Sequence, residues 1–241
     1  MILEKIEKCK LEYQKCFCKI YEQPGFIRFQ DDLLPDMYHH NFTWVKHAKN
    51  DAGLIQLIED EISYKKSIGK DFCLIRCNIP VSETVLAQLS HQSEVSVEGC
   101  YVLDTSKYTR LEAGQACHVA KISNAGMVEE LLKLDLLHDE ESLGVDFCTR
   151  RVYRRKDIYL SDSGVDSYIC YNNGTPVGSC DLFIHNDTAK IEDFSISPNQ
   201  QRKGFGTVLI KTLIEIALDS GVTTVFWART KTTPQKKCTK S

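Results

Sequence analysis

One segment near the C-terminal end of the chain constrains the fold most. Residues 190–196 are a strand candidate, and Pro198 marks the turn that ends it. Two glycines, Gly204 and Gly206, then lead into residues 205–219, which are apolar around most of a helical surface. Such a helix is expected to pack on a sheet. A strand, a turn and a buried helix in this order predict an α/β or α+β fold with helices layered on a sheet.

The loop between these two elements predicts an anion site. Backbone N–H groups of a glycine loop and of the first helical turn have no intrahelical acceptors, and they coincide with the positive end of the helix dipole. Glycine lets the backbone approach a phosphate closely, and Arg202 and Lys203 add positive charge. The expected ligand is a phosphate or a pyrophosphate, although a plain tight turn between strand and helix would also explain a lone G-x-G.

Two common phosphate motifs do not fit this loop. The P-loop requires G-x-x-x-x-G-K-[ST], but here Lys203 precedes Gly204 and no earlier glycine has the right spacing. The dinucleotide fingerprint G-x-G-x-x-G would need its third glycine at Leu209. Both nucleotide-binding motifs are therefore excluded for this segment.

The stretch Gln201-Arg202-Lys203-Gly204-Phe205-Gly206 resembles the Q/R-x-x-G-x-G/A signature of the GNAT superfamily of N-acetyltransferases. The residues before it, 194–198, resemble that superfamily's fourth strand and proline turn. The resemblance covers about residues 115–230. It implies a mixed, largely antiparallel central sheet flanked by helices.

This resemblance implies that acetyl-CoA is a co-substrate whose pyrophosphate is held by main-chain N–H groups. The loop residues implied are Gln201, Arg202, Lys203, Gly204, Phe205, Gly206 and Thr207. The backbone of Phe194, Ser195 and Ile196 would pair with the pantetheine arm, and an N–H near Phe194 would polarise the acetyl carbonyl. The sheet would splay between strands 190–196 and 222–228, which would place the thioester in the gap.

The implied reaction transfers acetyl to a primary amine of a small-molecule or peptide acceptor. An alkyl ammonium has a pKa near ~10.4 and must lose a proton before it attacks, so a base is required. Glu192 and Asp193 flank the site, and strand alternation would send their side chains to opposite faces. Glu192 would share a face with Phe194 and is the predicted base, while a solvated or structural role for this carboxylate stays open.

The family pattern departs after strand 222–228. The superfamily continues with an Asn, a helix whose Tyr often serves as the general acid, and a Gly-Phe turn, whereas residues 229–241 contain none of these residue types. We therefore expect a domain truncated after its fifth strand, with an exposed edge that invites a homodimer. Residues 231–241 are polar and predict a disordered tail. The alternative function is a non-catalytic acyl-CoA-binding or regulatory module.

A polar stretch over residues 104–114 predicts a domain boundary. Residues 111–230 would then form the acetyl-CoA-binding domain, and residues 1–110 an accessory or degenerate GNAT-like α/β domain. In this first domain a helix over residues 1–20 would end at Pro24-Gly25. The remaining predicted elements are strands 26–29, 41–45, 72–77, 95–103, 117–122, 166–171 and 176–185, and helices 52–67, 82–90, 124–137 and 146–156. The strand, helix and strand over 72–103 repeat the order of the piece missing at the C-terminal end.

Composition argues against several other classes of protein. A net charge of −3 gives no overall basic field, so no nucleic acid or anionic membrane is expected as a partner. No window approaches the roughly 18 apolar residues of a membrane span, and the N-terminus lacks the apolar core of a signal peptide. The 11 cysteines show no metal-ligand spacing, so we expect reduced thiols, no metal site and a cytoplasmic location. The basic run over 150–156 predicts a positive helix face that is solvated, the alternative being contact with an acidic substrate or the adenosine phosphate.

Overall fold

The computed structural model describes residues 1–111 and 117–231. Contacts divide the chain into two compact units: a small unit of residues 14–95, and a large unit of residues 1–13 and 96–241. The division therefore falls after residue 95 rather than near residue 110, because residues 96–110 belong with the C-terminal part. In the region predicted as a tail, residue 231 ends a strand, and residues 232–241 lie outside the described residues.

The predicted elements correspond closely to the observed ones, with one change near the N-terminus. The helices are α1 (Ile2–Lys15), α2 (Asp51–Ser67), α3 (Glu83–Gln88), α4 (Ala125–Leu143), α5 (Val145–Tyr159) and α6 (Phe205–Asp219). The strands are β1 (Lys19–Gln23), β2 (Phe26–Gln30), β3 (Phe42–Val45), β4 (Leu74–Cys77), β5 (Val97–Val102), β6 (His118–Lys121), β7 (Val165–Asn172), β8 (Thr175–His185), β9 (Thr188–Ile196) and β10 (Thr224–Lys231). The first helix ends at Lys15 rather than at Pro24-Gly25, which instead turns β1 into β2. None of the described helices combines the length and the apolarity needed to cross a bilayer.

The small unit is a four-stranded sheet in the order β1-β2-β3-β4, with the last pair parallel. Helix α2 joins these two parallel strands, and its Asn50 cap accepts a hydrogen bond from the Gly53 N–H. Leu54 and Ile58 of α2 pack with Val45 of β3 in an apolar core. This unit is thus an α/β layer with its own buried centre.

The large unit is a six-stranded sheet in the order β5-β10-β9-β8-β7-β6. Only the β9–β10 pair is parallel, so the predicted mixed, largely antiparallel sheet is confirmed. Helix α6 covers one face, where Leu209 and Leu213 pack with Cys180 and Leu182 of β8. The intervening Asp181 points to the other face and accepts a hydrogen bond from Tyr159 of α5.

Strand β10 is not an exposed edge. It pairs antiparallel with β5, from Phe226 opposite Val102 to Lys231 opposite Val97. The expectation of an open edge at 222–228 is therefore wrong, and the homodimer inferred from that edge loses its basis. The strand predicted over 95–103 does complete the sheet, whereas β4 and α3 belong to the small unit.

The sheet opens between β9 and β10, as predicted. These two strands pair only as far as Ile191 and Trp227. Beyond that point β9 stays with β8 and β10 stays with β5. The resulting gap lies at the carboxyl ends of two parallel strands, next to the beginning of α6.

Candidate active site

Strand β9 contains a β-bulge beside this gap. The register with β8 jumps between Glu192 and Ser195, where three steps along β9 face two steps along β8. Asp193, inside the jump, has a φ of 48°, in the left-handed region that non-glycine residues seldom adopt. One additional residue in a strand shifts every later side chain to the other face. The simple alternation expected for residues 190–196 therefore does not hold here.

The bulge separates two residues that were expected to share a face. Glu192 forms an ion pair with Lys190, two residues earlier, and the intervening Ile191 packs in the core beneath α6. Glu192 therefore lies on the face away from α6. Phe194 lies on the α6 face, because a Cβ placed on Gly206 would come within 2.9 Å of its ring. The expectation that Glu192 and Phe194 share a face is wrong.

The loop between β9 and α6 is held by its own backbone and side chains. A short 3₁₀ turn spans Pro198–Gln200. The Gln201 side-chain amide then donates to the Ile196 carbonyl at 3.0 Å. Arg202 and Gly204 follow with φ values of 63° and 90°. Such left-handed residues turn successive N–H groups toward one side, which forms a concavity suited to an anion.

The first turn of α6 contributes further N–H groups to this concavity. Gly204 is the N-cap, and a glycine has no side chain that could accept a hydrogen bond from the N–H groups of the first turn. The Val208 N–H donates to the Gly204 carbonyl at 3.1 Å, so the N–H groups of residues 205–207 precede the first intrahelical bond. Phe205 is fully buried and anchors the helix in the core. Gly206 has no side chain to collide with Phe194, which leaves the helix end open.

A cavity of about 650 Å³ joins the bulged strand to this helix end. Eight of the ten predicted cofactor-binding residues line it: Phe194, Ser195, Ile196, Gln201, Arg202, Gly204, Gly206 and Thr207. Gln200 and His138 complete the lining. Of the other two predicted residues, Phe205 is a core residue, and Lys203 donates to the Gln200 side chain at 3.0 Å. The structure thus brings most of the predicted loop and strand residues into one cavity.

His138 is a cavity residue that the sequence did not reveal. It lies on α4, and its Nε2 is buried with no hydrogen-bond partner among the described residues. A buried polar atom without a partner is costly, by about 1–3 kcal/mol, and often marks a place that a ligand completes. The sequence offers no signal for it, because one histidine in an amphipathic helix has no special spacing.

A buried polar cluster lies behind the bulge, on the face away from α6. Tyr159 of α5 donates to the Asp181 carboxylate at 2.7 Å. Burial, and next the charge of Asp193, raise the pKa of Asp181 to about 7. Arg155 forms an ion pair with Asp193. Burial would by itself raise the pKa of Asp193, but the charge and hydrogen bond of Arg155 hold it below its ordinary value.

The basic run on α5 is not the solvated face that was expected. Arg151 lies between Asp135 and Asp139 of α4, at 2.8 and 2.5 Å. Arg155, one turn later, reaches the bulge. With Arg150, which pairs with Asp146, three of the cations in this run bind the protein's own carboxylates. Within the described residues, no group of three or more His, Cys, Asp or Glu side chains is arranged to hold a metal ion.

Comparison with known proteins relates the bulged strand, the glycine loop and α6 to a family. The model of the family described as acetyltransferase (GNAT) family matches residues 131–238. This part of the chain is therefore similar to the GNAT acetyltransferases. The matched range includes the bulged strand β9, the glycine loop, α6 and β10, and this likeness supports acyl-CoA-dependent N-acetyltransferase activity in general terms.

Related proteins extend the likeness beyond the matched range. The uncharacterized N-acetyltransferase CgeE of Bacillus subtilis (strain 168) is 23% identical over 203 residues, which are 80% of this chain and 75% of CgeE. A functionally unknown conserved protein from Staphylococcus epidermidis ATCC 12228 has a TM-score of 0.73 at 15% identity, over 90% of this chain and 85% of its own. A GCN5-related N-acetyltransferase from Kribbella flavida has a TM-score of 0.69 at 11% identity, over 93% and 84%. The two structures show a shared fold that includes most of the chain.

Proposed function

We propose that this protein transfers the acetyl group of acetyl-CoA to a primary amine of a small-molecule or peptide acceptor. One observation carries the proposal: a single cavity connects the N-terminus of α6 with the bulged end of β9. The helix end suits a diphosphate, and the unpaired stretch of strand suits an extended amide-containing arm. Coenzyme A carries these two groups in the same molecule.

Different residues around the cavity would bind different parts of acetyl-CoA. The N–H groups of residues 204–207 would hold the diphosphate, with Arg202 adding positive charge nearby. The backbone of residues 194–196 would pair with the pantetheine arm. The N–H of Phe194 would polarise the acetyl carbonyl and stabilise the oxyanion that forms on it. Phe205, buried in the core, would fix the helix end to the sheet.

The chemical step needs a proton acceptor. The acceptor ammonium loses one proton to a base, its nitrogen forms a bond to the carbonyl carbon, and the bond from that carbon to sulfur breaks. The nitrogen then loses a second proton, and the departing thiolate takes up a proton to give the coenzyme A thiol. Two residues are candidates for the base. Glu192 is the one predicted from the sequence and is paired with Lys190. His138 lines the cavity, and its Nε2 has no partner among the described residues.

A pair of glycine variants tests the proposed coenzyme site. Gly204 and Gly221 lie at the two ends of α6 with φ values of 90° and 81°, so alanine strains the backbone similarly at both. Only Gly204 lines the cavity, and a Cβ on Gly221 would meet no atom within 4 Å. We expect Gly204→Ala to weaken acetyl-CoA binding about tenfold or more in calorimetry, and Gly221→Ala to leave it unchanged.

Thiol release from acetyl-CoA with a panel of amines measures the activity itself. We expect thiol release from acetyl-CoA to depend on the added amine for at least one amine of the panel. Binding of acetyl-CoA without turnover on any amine would instead support the non-catalytic module. Equal binding by the two glycine variants would contradict the assignment of the coenzyme site to the α6 N-terminus.

A further inference from the structure

We propose that Arg155 is a positioning residue for acetyl transfer, acting through Asp193 on the bulge of β9. The inference rests on the proposed function. Arg155 does not line the cavity, whereas Phe194, the residue after Asp193, does. Its effect would therefore be on the rate of transfer rather than on the affinity for acetyl-CoA.

The bulge depends on a backbone conformation that Asp193 does not favour. Its φ of 48° is left-handed, and such a conformation costs a non-glycine residue about 1–2 kcal/mol. Strained residues of this kind persist only where the surrounding structure holds them. At Asp193 the holding contact is the ion pair with Arg155.

The Arg155 side chain is buried and contacts both Asp193 and Tyr159. The residue is 9% exposed and projects from α5 toward the sheet. Its Nη1 lies 3.5 Å from the Tyr159 hydroxyl, which in turn donates to the buried Asp181 at 2.7 Å. The guanidinium thus links the bulge on β9 to Tyr159 of α5, whose hydroxyl reaches Asp181 of β8. A charge held this firmly gives Asp193 one preferred position.

The bulge decides where the next residue points. Because it adds one residue to β9, Phe194 faces α6 and its ring meets Gly206, while Glu192 faces the other way. If Asp193 relaxed to an extended conformation, the N–H and ring of Phe194 would leave this position. A displacement of about 1 Å at the reacting group can reduce a rate about 100-fold. Binding of the diphosphate, at the other end of the cavity, would not change.

Arg155→Met removes the guanidinium and keeps an apolar side chain. We expect kcat for thiol release to fall at least about tenfold, while the Kd for acetyl-CoA stays within about threefold. Arg151→Met is the matched control, since Arg151 lies one turn earlier on α5 with a side chain 12% exposed against 11% for Arg155. Its ion-pair partners are Asp135 and Asp139 of α4 rather than Asp193. It should lose stability but keep kcat.

A second substitution separates positioning from a merely structural role. Glycine adopts a positive φ without strain, so Asp193→Gly in the Arg155→Met background should restore most of kcat. If Arg155 only supported packing, Asp193→Gly would not restore kcat, because the volume lost with the guanidinium would not be refilled. Full kcat in Arg155→Met, or no recovery in the folded double variant, would overturn the proposal.

A measurement without turnover keeps the proposal testable on its own. Amide hydrogen exchange over residues 190–197 should be faster in Arg155→Met than in Arg151→Met. Equal exchange in the two variants would refute the positioning role even if no acceptor amine is found. A wild-type protein that neither binds nor turns over acetyl-CoA would refute the proposed function instead.

Discussion

At the scale of single residues, Asp181 is a carboxylate that is almost fully buried in the large unit. It is 2% exposed, and its pKa is raised to about 7 by burial and by the neighbouring Asp193. The folded protein therefore holds a proton on Asp181 at pH values where the unfolded chain has released it. The stabilisation that this proton provides is complete below about pH 4 and is lost as the pH rises through about 7.

The variant Asp181→Asn should remove this pH dependence. From pH 4 to pH 8 the free energy of unfolding of the wild type should fall relative to that of the variant, by at most about 4 kcal/mol, since one pKa unit is worth about 1.4 kcal/mol. Urea unfolding of both proteins at several pH values measures the difference. A difference that stays constant over this range would mean that Asp181 ionises like an ordinary aspartate.

The two candidate bases are also distinguished at this scale. We expect His138→Ala to lower kcat by about 100-fold or more, because the cavity would lose an imidazole whose Nε2 has no partner among the described residues. Glu192→Gln should have a smaller effect, since its carboxylate already pairs with Lys190. Steady-state thiol release measures both, with His118→Ala, an exposed position on β6, as the control. A larger loss in Glu192→Gln would restore Glu192 as the base.

At the scale of elements, the sequence predicted what is encoded locally. Helix α6 and the loop before it were predicted correctly because their glycines and apolar residues lie within one short segment. The bulge was not predicted, since the ion-pair partner of Asp193 is Arg155, which is 38 residues away in the chain. Alternation then gave the wrong face for Glu192 relative to Phe194.

Strand pairing shows the same limit for β5 and β10. Both strands are recognisable from their apolar residues, but the sequence does not specify that a strand at 97–102 pairs with one at 224–231. The missing family pattern after β10 suggested an open edge. The structure closes that edge with a strand from earlier in the chain, which no local pattern could indicate.

At the scale of the whole molecule, the two units do not follow the order of the chain. Residues 14–95 form the small unit, while the large unit takes residues from both sides of it. The polar stretch at 104–114 suggested a boundary, because polar segments often link domains. Its described part, residues 104–111, follows β5 and so lies within the large unit, whose sheet begins at residue 97.

Two shortened chains test whether β5 is an integral part of the large unit. A chain of residues 96–241 keeps β5, and a chain of residues 111–241 lacks it, while both lack α1 and the small unit. Without β5, the six residues of β10 from Phe226 to Lys231 lose their antiparallel partner and expose a strand edge. We therefore expect the longer chain to be more soluble, and to bind acetyl-CoA more tightly, than the shorter one. Light scattering and calorimetry compare them, and a synthetic peptide of residues 96–104 added to the shorter chain should recover part of the difference. Equal behaviour of the two chains would place the boundary near residue 110 after all, with β5 dispensable to the domain.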